Sequence, residues 1–217
     1  MAADRIKAVI FDMDGVLIDS EIVYLRSMLA FAKERRPEVT EQDLIGVVGR
    51  TARDSWEIVE RAVANGQTWE ELREEYRRWT NVYETTDYRK IFRREVRPVL
   101  RTLKEKGYRM AVASSTRLSL VRRVLEENEI ISYFDEVVSG NQFRRSKPDP
   151  EIYRYTAKKL GVREDECFVI EDSTVGITAA HRAGMTVAAL IDDRFGFDRS
   201  LADYEIETIG GALKYLL

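Results

Sequence analysis

The chain has 217 residues, a length typical of one large α/β domain or of a core domain with an inserted subdomain. Hydrophobic residues make up 44% of the sequence, which is enough for a sizeable core and excludes wholesale disorder. The 35 basic and 38 acidic side chains nearly cancel, and a net charge of -3 gives no footprint for nucleic acid or for an anionic membrane surface.

The first predicted element is a strand that ends in two acids. The apolar run 8–11 has the length and composition of a buried parallel strand, and Asp12 and Asp14 follow it. Ligands bind at the carboxyl edge of open α/β sheets, and two close carboxylates repel each other unless a cation or a shared proton relieves them. The pattern therefore predicts a site at this edge. An Asp-Gly turn at Gly15 is the alternative, whereas a calcium loop is excluded because its Gly and its acids stand at other positions.

Residues 20–86 have a different character. They show helical periodicity, high charge and large aromatics, but no convincing strand. We interpret them as a helical cap domain inserted after the first strand, with residues 1–19 and 87–217 as the core domain. We expect the insertion to act as a lid above Asp12 and Asp14. The aromatics of this segment are predicted to form the core of a small helical bundle: Tyr24, Trp56, Trp69, Tyr76, Trp79 and Tyr83.

The second half of the chain repeats a charged helix, a glycine and an apolar strand. A glycine after a basic last turn is the expected helix stop, by left-handed capping geometry and complementarity to the helix dipole. Strands are predicted at 110–113, 168–170 and 187–191. Strands that alternate with helices in this way predict right-handed βαβ units. The expected fold class is α/β, a Rossmann-like doubly wound parallel sheet with an inserted small helical cap domain.

Polar residues stand where these strands end or in loops of the same edge. Ser114 precedes a predicted helix at 118–127, where a hydroxyl beside helix amides would make an oxyanion site, with plain N-capping as the alternative. Lys147 lies in a proline-rich loop, where a lone lysine is usually solvated. Glu171 and Asp172 end a strand that we expect to be buried, and helix capping by the next hydroxyl does not explain this acidic pair.

Carboxylates are the main source of chemistry in this sequence. The single cysteine, Cys167, lies in an apolar run and excludes an internal disulfide and a zinc thiolate cluster. The single histidine, His181, lies in a helical stretch and is interpreted as a surface or packing residue. Acid–base and covalent work must therefore fall to Asp and Glu. With no apolar signal region and no membrane-spanning stretch, we expect a cytoplasmic protein.

The motifs together resemble the haloacid dehalogenase superfamily, in particular its phosphatases with a small helical cap, of the β-phosphoglucomutase-like and phosphoglycolate phosphatase-like subfamily. The matching motifs are Asp12-Met13-Asp14-Gly15-Val16, Ser114, Lys147-Pro148 and Glu171-Asp172-Ser173. The resemblance covers essentially the whole chain. It implies a Mg²⁺-dependent phosphate monoester hydrolase that acts on a small phosphorylated metabolite through an aspartyl-phosphate intermediate.

The resemblance also implies a role for each matching residue. Asp12 would be the nucleophile, and Asp14 would be the general acid and base. Ser114 and Lys147 would hold the phosphoryl oxygens, with Ser115 as a further substrate contact. Mg²⁺ would be held by Asp12, Asp172 and the backbone carbonyl of Asp14. Glu171 would bind the ion directly or orient one of its waters.

The resemblance leaves alternatives open. Asp14 favours phosphate monoesters over dehalogenase and phosphonate substrates. A β-phosphoglucomutase is the nearest competing function, but Tyr24 and Val48-Gly49 replace the cap histidine and the Lys-Gly loop of those mutases. Arg50 and Arg53 would bind an anionic or hydroxylated substrate, or else form a solvated helix start. A catalytically idle phosphate-binding protein is the alternative outside the enzymes. We expect a monomer with a small-molecule phosphorylated substrate.

Overall fold

A computed structural model describes residues 5–217. Residues 1–4 lie outside the described residues. The segment in which the sequence predicts no signal region includes them. The described chain divides into two units. One is a sheet-containing unit that runs to Asp19 and resumes over Tyr88–Leu217, and the other is a helical unit of Ser20–Asp87. Within residues 5–217, no helix combines the length and the apolar character needed to cross a membrane.

The larger unit is built on one parallel sheet. Its strands are β1 (Ala8–Phe11), β2 (Arg109–Ser114), β3 (Glu136–Ser139), β4 (Cys167–Glu171), β5 (Thr186–Leu190) and β6 (Tyr204–Ile206). They lie in the order β3-β2-β1-β4-β5-β6, and every neighbouring pair is parallel. The strand predictions in this unit are confirmed to within one residue at each end. The short edge strands β3 and β6 were not predicted.

The helices connect these strands or form the second unit. The α-helices are α1 (Glu21–Arg35), α2 (Glu41–Leu44), α3 (Ala52–Val63), α4 (Trp69–Trp79), α5 (Val82–Thr85), α6 (Val96–Glu105), α7 (Leu118–Glu127), α8 (Glu151–Leu160), α9 (Thr174–Ala183) and α10 (Leu213–Leu216). Short 3₁₀ turns lie at Ile45–Val47, Ile131–Tyr133, Gly140–Gln142, Glu164–Glu166 and Ile209–Ala212. Gly161 and Gly184 end α8 and α9 in the left-handed conformation, as predicted.

Helices cover both faces of the sheet. Successive residues of a strand point to opposite faces, so Val9 and Phe11 belong to one hydrophobic cluster and Ala8 and Ile10 to the other. The first cluster includes buried residues of α6, α7 and α10, and the second includes buried residues of α8 and α9. This three-layer arrangement confirms the doubly wound α/β fold, whose strands read as continuous apolar runs because both faces are buried.

The strand order places a crevice between β1 and β4. The chain passes from β1 to β2 on one side of β1, while β4 pairs with its other side, so the order of the sheet reverses between β1 and β4. Ligands of open α/β sheets bind outside the carboxyl ends of the strands at such a switch point. Phe11 pairs with Ile170 in register, so Asp12 and Glu171 emerge side by side there.

The helical unit has an aromatic core. The ring of Phe31 makes edge-to-face contacts with Trp56, Tyr76 and Trp79 at centroid distances of 5.3–6.1 Å. Trp56 and Tyr76 are buried as predicted, but Trp79 and Tyr83 are 37% and 39% exposed, so their assignment to the core was wrong. The ring of Trp79 packs on those of Phe31 and Tyr76, and the ring of Tyr83 packs on that of Tyr24, but these contacts leave both side chains partly exposed.

We expect Phe31→Ala to lower the free energy of unfolding of the helical unit by about 3–5 kcal/mol, because truncation of a fully buried ring leaves a cavity. Urea unfolding followed by tryptophan fluorescence measures this unit alone, since the three tryptophans, Trp56, Trp69 and Trp79, all lie in it. Lys33→Ala, an exposed change in the same helix, is the control. Equal shifts in the two variants would contradict the assigned core.

Candidate active site

One buried lysine joins the carboxyl ends of three neighbouring strands. Lys147 Nζ lies 2.6 Å from Asp12 Oδ1 and 2.6 Å from Glu171 Oε1. It also donates to the carbonyl oxygen of Ala113, in β2, at 3.0 Å. The residue is only 5% exposed, so its interpretation as a solvated loop lysine is wrong. The three hydrogen bonds of one ammonium group thus hold the ends of β1, β2 and β4 together.

The charges around this lysine do not balance. Burial alone would lower the pKa of Lys147, but the charges of Asp12 and Glu171 raise it well above its ordinary value, so the lysine stays charged. Burial raises the pKa of Asp12 from 3.8 to about 8, with repulsion from Glu171 and Asp14 adding to the rise and attraction by Lys147 opposing it. With all of its acids ionised the site would carry excess negative charge, which a bound cation would relieve.

Three carboxylates of this site could hold a metal ion. Asp12, Glu171 and Asp172 each offer an oxygen, these oxygens lie within 4.8 Å of one another, and all three residues are buried. Several hard carboxylate oxygens together form a donor set that fits Mg²⁺. Asp14, which the sequence also suggested as a ligand through its backbone carbonyl, is not part of this group of carboxylates.

Glu171 is held by five hydrogen bonds from the protein itself. Its Oε1 accepts from Lys147 and from the Tyr153 hydroxyl, the latter at 2.7 Å. Its Oε2 accepts from the backbone N–H of Asp172 at 3.1 Å and from the N–H and hydroxyl of Ser173 at 3.3 and 3.2 Å. Both oxygens are engaged, so this carboxylate is suited to orienting other groups.

Two glycines make room for the acids. A Cβ at Gly15 would lie 1.9 Å from Asp172 Oδ2, and a Cβ at Gly176 would lie 1.8 Å from Glu171 Oε1. Gly15 also has a φ of +76°, a conformation that L side chains rarely adopt. The first turn of α9 and the turn after β1 can approach the carboxylates this closely only because both positions lack a side chain.

Asp14 lies beside the hydroxyls of the loop that follows β2. Thr116 Oγ1 donates to Asp14 Oδ2 at 2.8 Å, and Ser114 Oγ lies 3.5 Å from the same oxygen. Ser114 is fully buried, whereas Ser115 is exposed. The interpretation of Ser114 as a plain helix cap is wrong, because the N-cap position of α7 is Arg117 and no side chain caps it.

The two arginines predicted as substrate contacts belong to the helical unit. Arg50 is exposed, and Arg53 Nε donates to Glu57 Oε1 at 2.8 Å in an exposed ion pair. Thr51 caps the start of α3 by accepting from the N–H of Asp54. These contacts match the alternative of a solvated helix start, and a role of Arg50 and Arg53 in substrate binding stays a prediction.

Two side chains at the site were missed in the sequence. Tyr153 lies on the buried face of α8, where an aromatic residue indicates an ordinary core position. Its ring centroid is also 4.9 Å from Lys147 Nζ. Thr116 follows Ser114 by two residues, and the only available signal was the run of three hydroxyl residues after a strand. Cys167 is buried in β4 and His181 is exposed in α9, as predicted.

We expect Asp12→Asn to stabilise the metal-free protein increasingly as the pH rises. Because the pKa of Asp12 rises from 3.8 in the unfolded chain to about 8 in the folded one, protonation of this carboxyl favours folding below pH 3.8, and that contribution is lost as the pH rises through about 8. The amide side chain of the Asp12→Asn variant does not ionise, so the variant does not lose this stability as the pH rises. Thermal unfolding in a chelator from pH 4 to 8 measures the growing difference in Tm, and Asp165→Asn, at a half-exposed carboxylate, is the control. A difference that stays constant or shrinks would contradict the raised pKa.

We expect Gly176→Ala to destabilise the protein by about 1–3 kcal/mol, because the added Cβ would overlap Glu171. An alanine in a helix interior otherwise stabilises by about 1 kcal/mol relative to glycine, so the sign itself is informative. Gly210→Ala is the control, since a Cβ there would meet only ordinary contacts, the nearest at 3.7 Å. Thermal unfolding followed by circular dichroism tests this, and a stabilised Gly176→Ala variant would refute the close approach.

Comparison with known proteins adds to this geometry. The family model of haloacid dehalogenase-like hydrolases matches residues 9–190. A phosphorylated carbohydrates phosphatase of Thermotoga maritima is 30% identical over 213 residues, which cover 95% of this chain and 92% of that protein. Hexitol phosphatase B of Escherichia coli K12 is 31% identical over 186 residues, which cover 83% of this chain and 82% of that protein.

A solved structure shows the same fold. The crystal structure of β-phosphoglucomutase from Clostridium difficile aligns with a TM-score of 0.74 at 20% identity and covers 94% of this chain and 91% of that chain. At this identity the likeness shows the fold alone, and it confirms the Rossmann-like α/β prediction. The matched span and the related phosphatases confirm the superfamily resemblance and the prediction of an enzyme, a phosphoric monoester hydrolase. The chain therefore belongs to the haloacid dehalogenase-like hydrolase family.

Proposed function

We propose that this phosphatase hydrolyses sugar phosphates in the presence of Mg²⁺ through an aspartyl-phosphate formed on Asp12. The observation that carries the proposal is the buried Lys147 between Asp12 and Glu171, which fixes a carboxylate beside a permanent cation at the switch point of the sheet. The relatives named as phosphatases of phosphorylated carbohydrates and of hexitols support a sugar phosphate as the substrate class.

The proposed reaction has two steps, which Asp12 and Asp14 share. An oxygen of Asp12 bonds to phosphorus while the bond from phosphorus to the ester oxygen breaks, and Asp14 gives its proton to that leaving oxygen. A water oxygen then bonds to phosphorus, and Asp14 takes a proton from this water. The bond from phosphorus to Asp12 breaks, which releases inorganic phosphate and restores the carboxylate.

Lys147 and Ser114 are proposed to hold the phosphoryl oxygens. The ammonium of Lys147 reduces the repulsion between the dianionic substrate and the acids around it. The hydroxyl of Ser114 is fully buried at the end of β2, next to the same crevice. By analogy with an oxyanion-hole donor, removal of this hydroxyl is expected to cost about 3 kcal/mol of transition-state stabilisation.

The residues proposed to hold Mg²⁺ are Asp12, Asp172 and the backbone carbonyl of Asp14. Glu171 orients a water of the ion, because Lys147, Tyr153 and backbone amides already engage both of its oxygens. When bound, the ion supplies the positive charge that lets the phosphate dianion and the carboxylates occupy one site.

A phosphatase is favoured over a phosphoglucomutase by the residue at Tyr24. The resemblance to the mutases puts a histidine at this position, whereas the ring of Tyr24 lies 4.9 Å from that of Tyr83, inside the helical unit. A phenol packed in this way is a poor substitute for an imidazole that must move a proton to a sugar hydroxyl. Water is then the natural acceptor of the phosphoryl group.

We expect wild-type protein with Mg²⁺ to release phosphate from p-nitrophenyl phosphate and from sugar phosphates, and a chelator to abolish this activity. Asp12→Asn is expected to lose at least about a thousand-fold in kcat, because no nucleophile remains. Asp165→Asn, which removes a half-exposed carboxylate ahead of β4 at the opposite end of the strand, is the matched control. The assay measures released phosphate, and circular dichroism checks that each variant is folded.

Two results would overturn this proposal. Isomerisation of β-glucose 1-phosphate, in the presence of a bisphosphate activator and faster than its hydrolysis, would make the protein a mutase. No turnover of any phosphorylated sugar, together with binding of inorganic phosphate by the folded protein, would make it a catalytically idle phosphate-binding member of the family.

A further inference from the structure

We propose that Thr116 is a positioning residue that fixes Asp14 for protonation of the leaving group, an inference that rests on the proposed function. Thr116 Oγ1 donates to Asp14 Oδ2 at 2.8 Å, while the neighbouring Ser114 Oγ is 3.5 Å from that oxygen. The shorter contact is a normal O–H···O hydrogen bond, and the longer one lies at the limit of such bonds. Thr116, and not Ser114, therefore sets the orientation of this carboxyl group.

The backbone of Thr116 is held on both sides. Its N–H donates to Ser114 Oγ at 3.0 Å, and its carbonyl oxygen accepts from the Ser139 hydroxyl at 2.7 Å. Ser139 is fully buried at the end of β3, so this contact ties the loop after β2 to the next strand of the sheet. A Cβ at Gly140 would lie 3.1 Å from Ser115 Cα, which shows how closely the two loops pack.

The side chain of Thr116 adds stiffness to this support. A β-branched residue has few accessible χ1 angles, so a fixed backbone also fixes the direction of its hydroxyl. The half-buried Asp14 carboxyl, which directly precedes Gly15, meets this hydroxyl at 2.8 Å. Positioning a proton donor within about 0.5 Å of its productive place needs supporting contacts of this kind.

The proton balance assigns separate tasks to the two oxygens of Asp14. With Oδ2 accepting from Thr116, the transferable proton is carried by Oδ1. It moves to the leaving oxygen as the ester bond to phosphorus breaks and the electron pair of that bond stays on the leaving oxygen. The hydroxyl proton of Thr116 stays on Thr116, so this residue takes no direct part in the proton transfer.

This role has a signature that separates it from ordinary structural support. Protonation of the leaving oxygen matters for a basic leaving group such as phenolate, and much less for a weakly basic one such as p-nitrophenolate. The two esters are close in shape and are equal in phosphate charge. Since kcat/KM reports the steps up to formation of the aspartyl-phosphate, it isolates protonation of the leaving group from the later attack of water.

The experiment compares kcat/KM for phenyl phosphate and p-nitrophenyl phosphate with Mg²⁺ in wild type, Thr116→Val and Thr116→Ser. Valine keeps the shape of threonine and removes the hydroxyl, whereas serine keeps the hydroxyl. We expect valine to lower kcat/KM for phenyl phosphate by about 10- to 100-fold and that for p-nitrophenyl phosphate by less than about 3-fold, with serine near wild type. Thr102→Val, which removes a hydroxyl bonded to the carbonyl of Pro98 in α6, is the control and should change neither value.

Ser139→Ala is the second variant, in case Thr116→Val does not fold. It frees the carbonyl of Thr116 without touching its hydroxyl, and we expect a smaller shift in the same direction. Equal losses on both esters, a change in KM alone, or no change would each overturn the role of Thr116. Turnover by wild type that is no faster than that of Asp12→Asn in the same assay would instead overturn the proposed function.

Discussion

The fold of the site depends on a single buried ammonium group shared by two carboxylates. Lys147 reaches Asp12 after β1, Glu171 in β4 and the carbonyl of Ala113 in β2, so it contacts three strands that are neighbours in the sheet. Removal of Lys147 would leave both carboxylates without their buried cation, a change that typically costs about 3–5 kcal/mol. The loop that carries Lys147 is thereby tied to the sheet by electrostatics, although it contributes no strand.

The positive charge of Lys147 does not neutralise all the acids around it. One lysine faces several acids, and the pKa of Asp12 rises to about 8 because burial and the neighbouring carboxylates disfavour its ionised form. The nucleophile proposed here must be ionised, so the proposed reaction needs a further positive charge at neutral pH. The apolar layers on both faces of the sheet stabilise the fold enough to tolerate this local repulsion. Strain of this kind is typical of functional sites.

The parts of the molecule that were predictable have local signals in the sequence. Strand β1 with its two acids is a continuous apolar run followed by carboxylates, and α9 ends at a glycine that must be left-handed. Strands β3 and β6 are short, partly exposed and at the two edges of the sheet, so their apolar pattern is weak. The contact of Thr116 with Asp14 spans 102 residues, and that of Arg194 with Asp19 spans 175. Such pairs depend on the packing of distant loops, which no periodicity in the sequence encodes.

The fold gives the two acids of the first motif different surroundings. Asp12 and Asp14 are two residues apart and chemically identical, yet Asp12 joins the buried group with Lys147 and Asp172, while Asp14 lies against hydroxyls. Strand β1 ends at Phe11, so the alternation of side chains along the strand does not extend to Asp14 and does not return it to the same cluster. The roles proposed for these two carboxyl groups, nucleophile and proton donor, require them to hold different protonation states at one pH, and different surroundings make this possible. The proposed division of labour therefore follows from where the strand stops, and not from the identity of the two side chains.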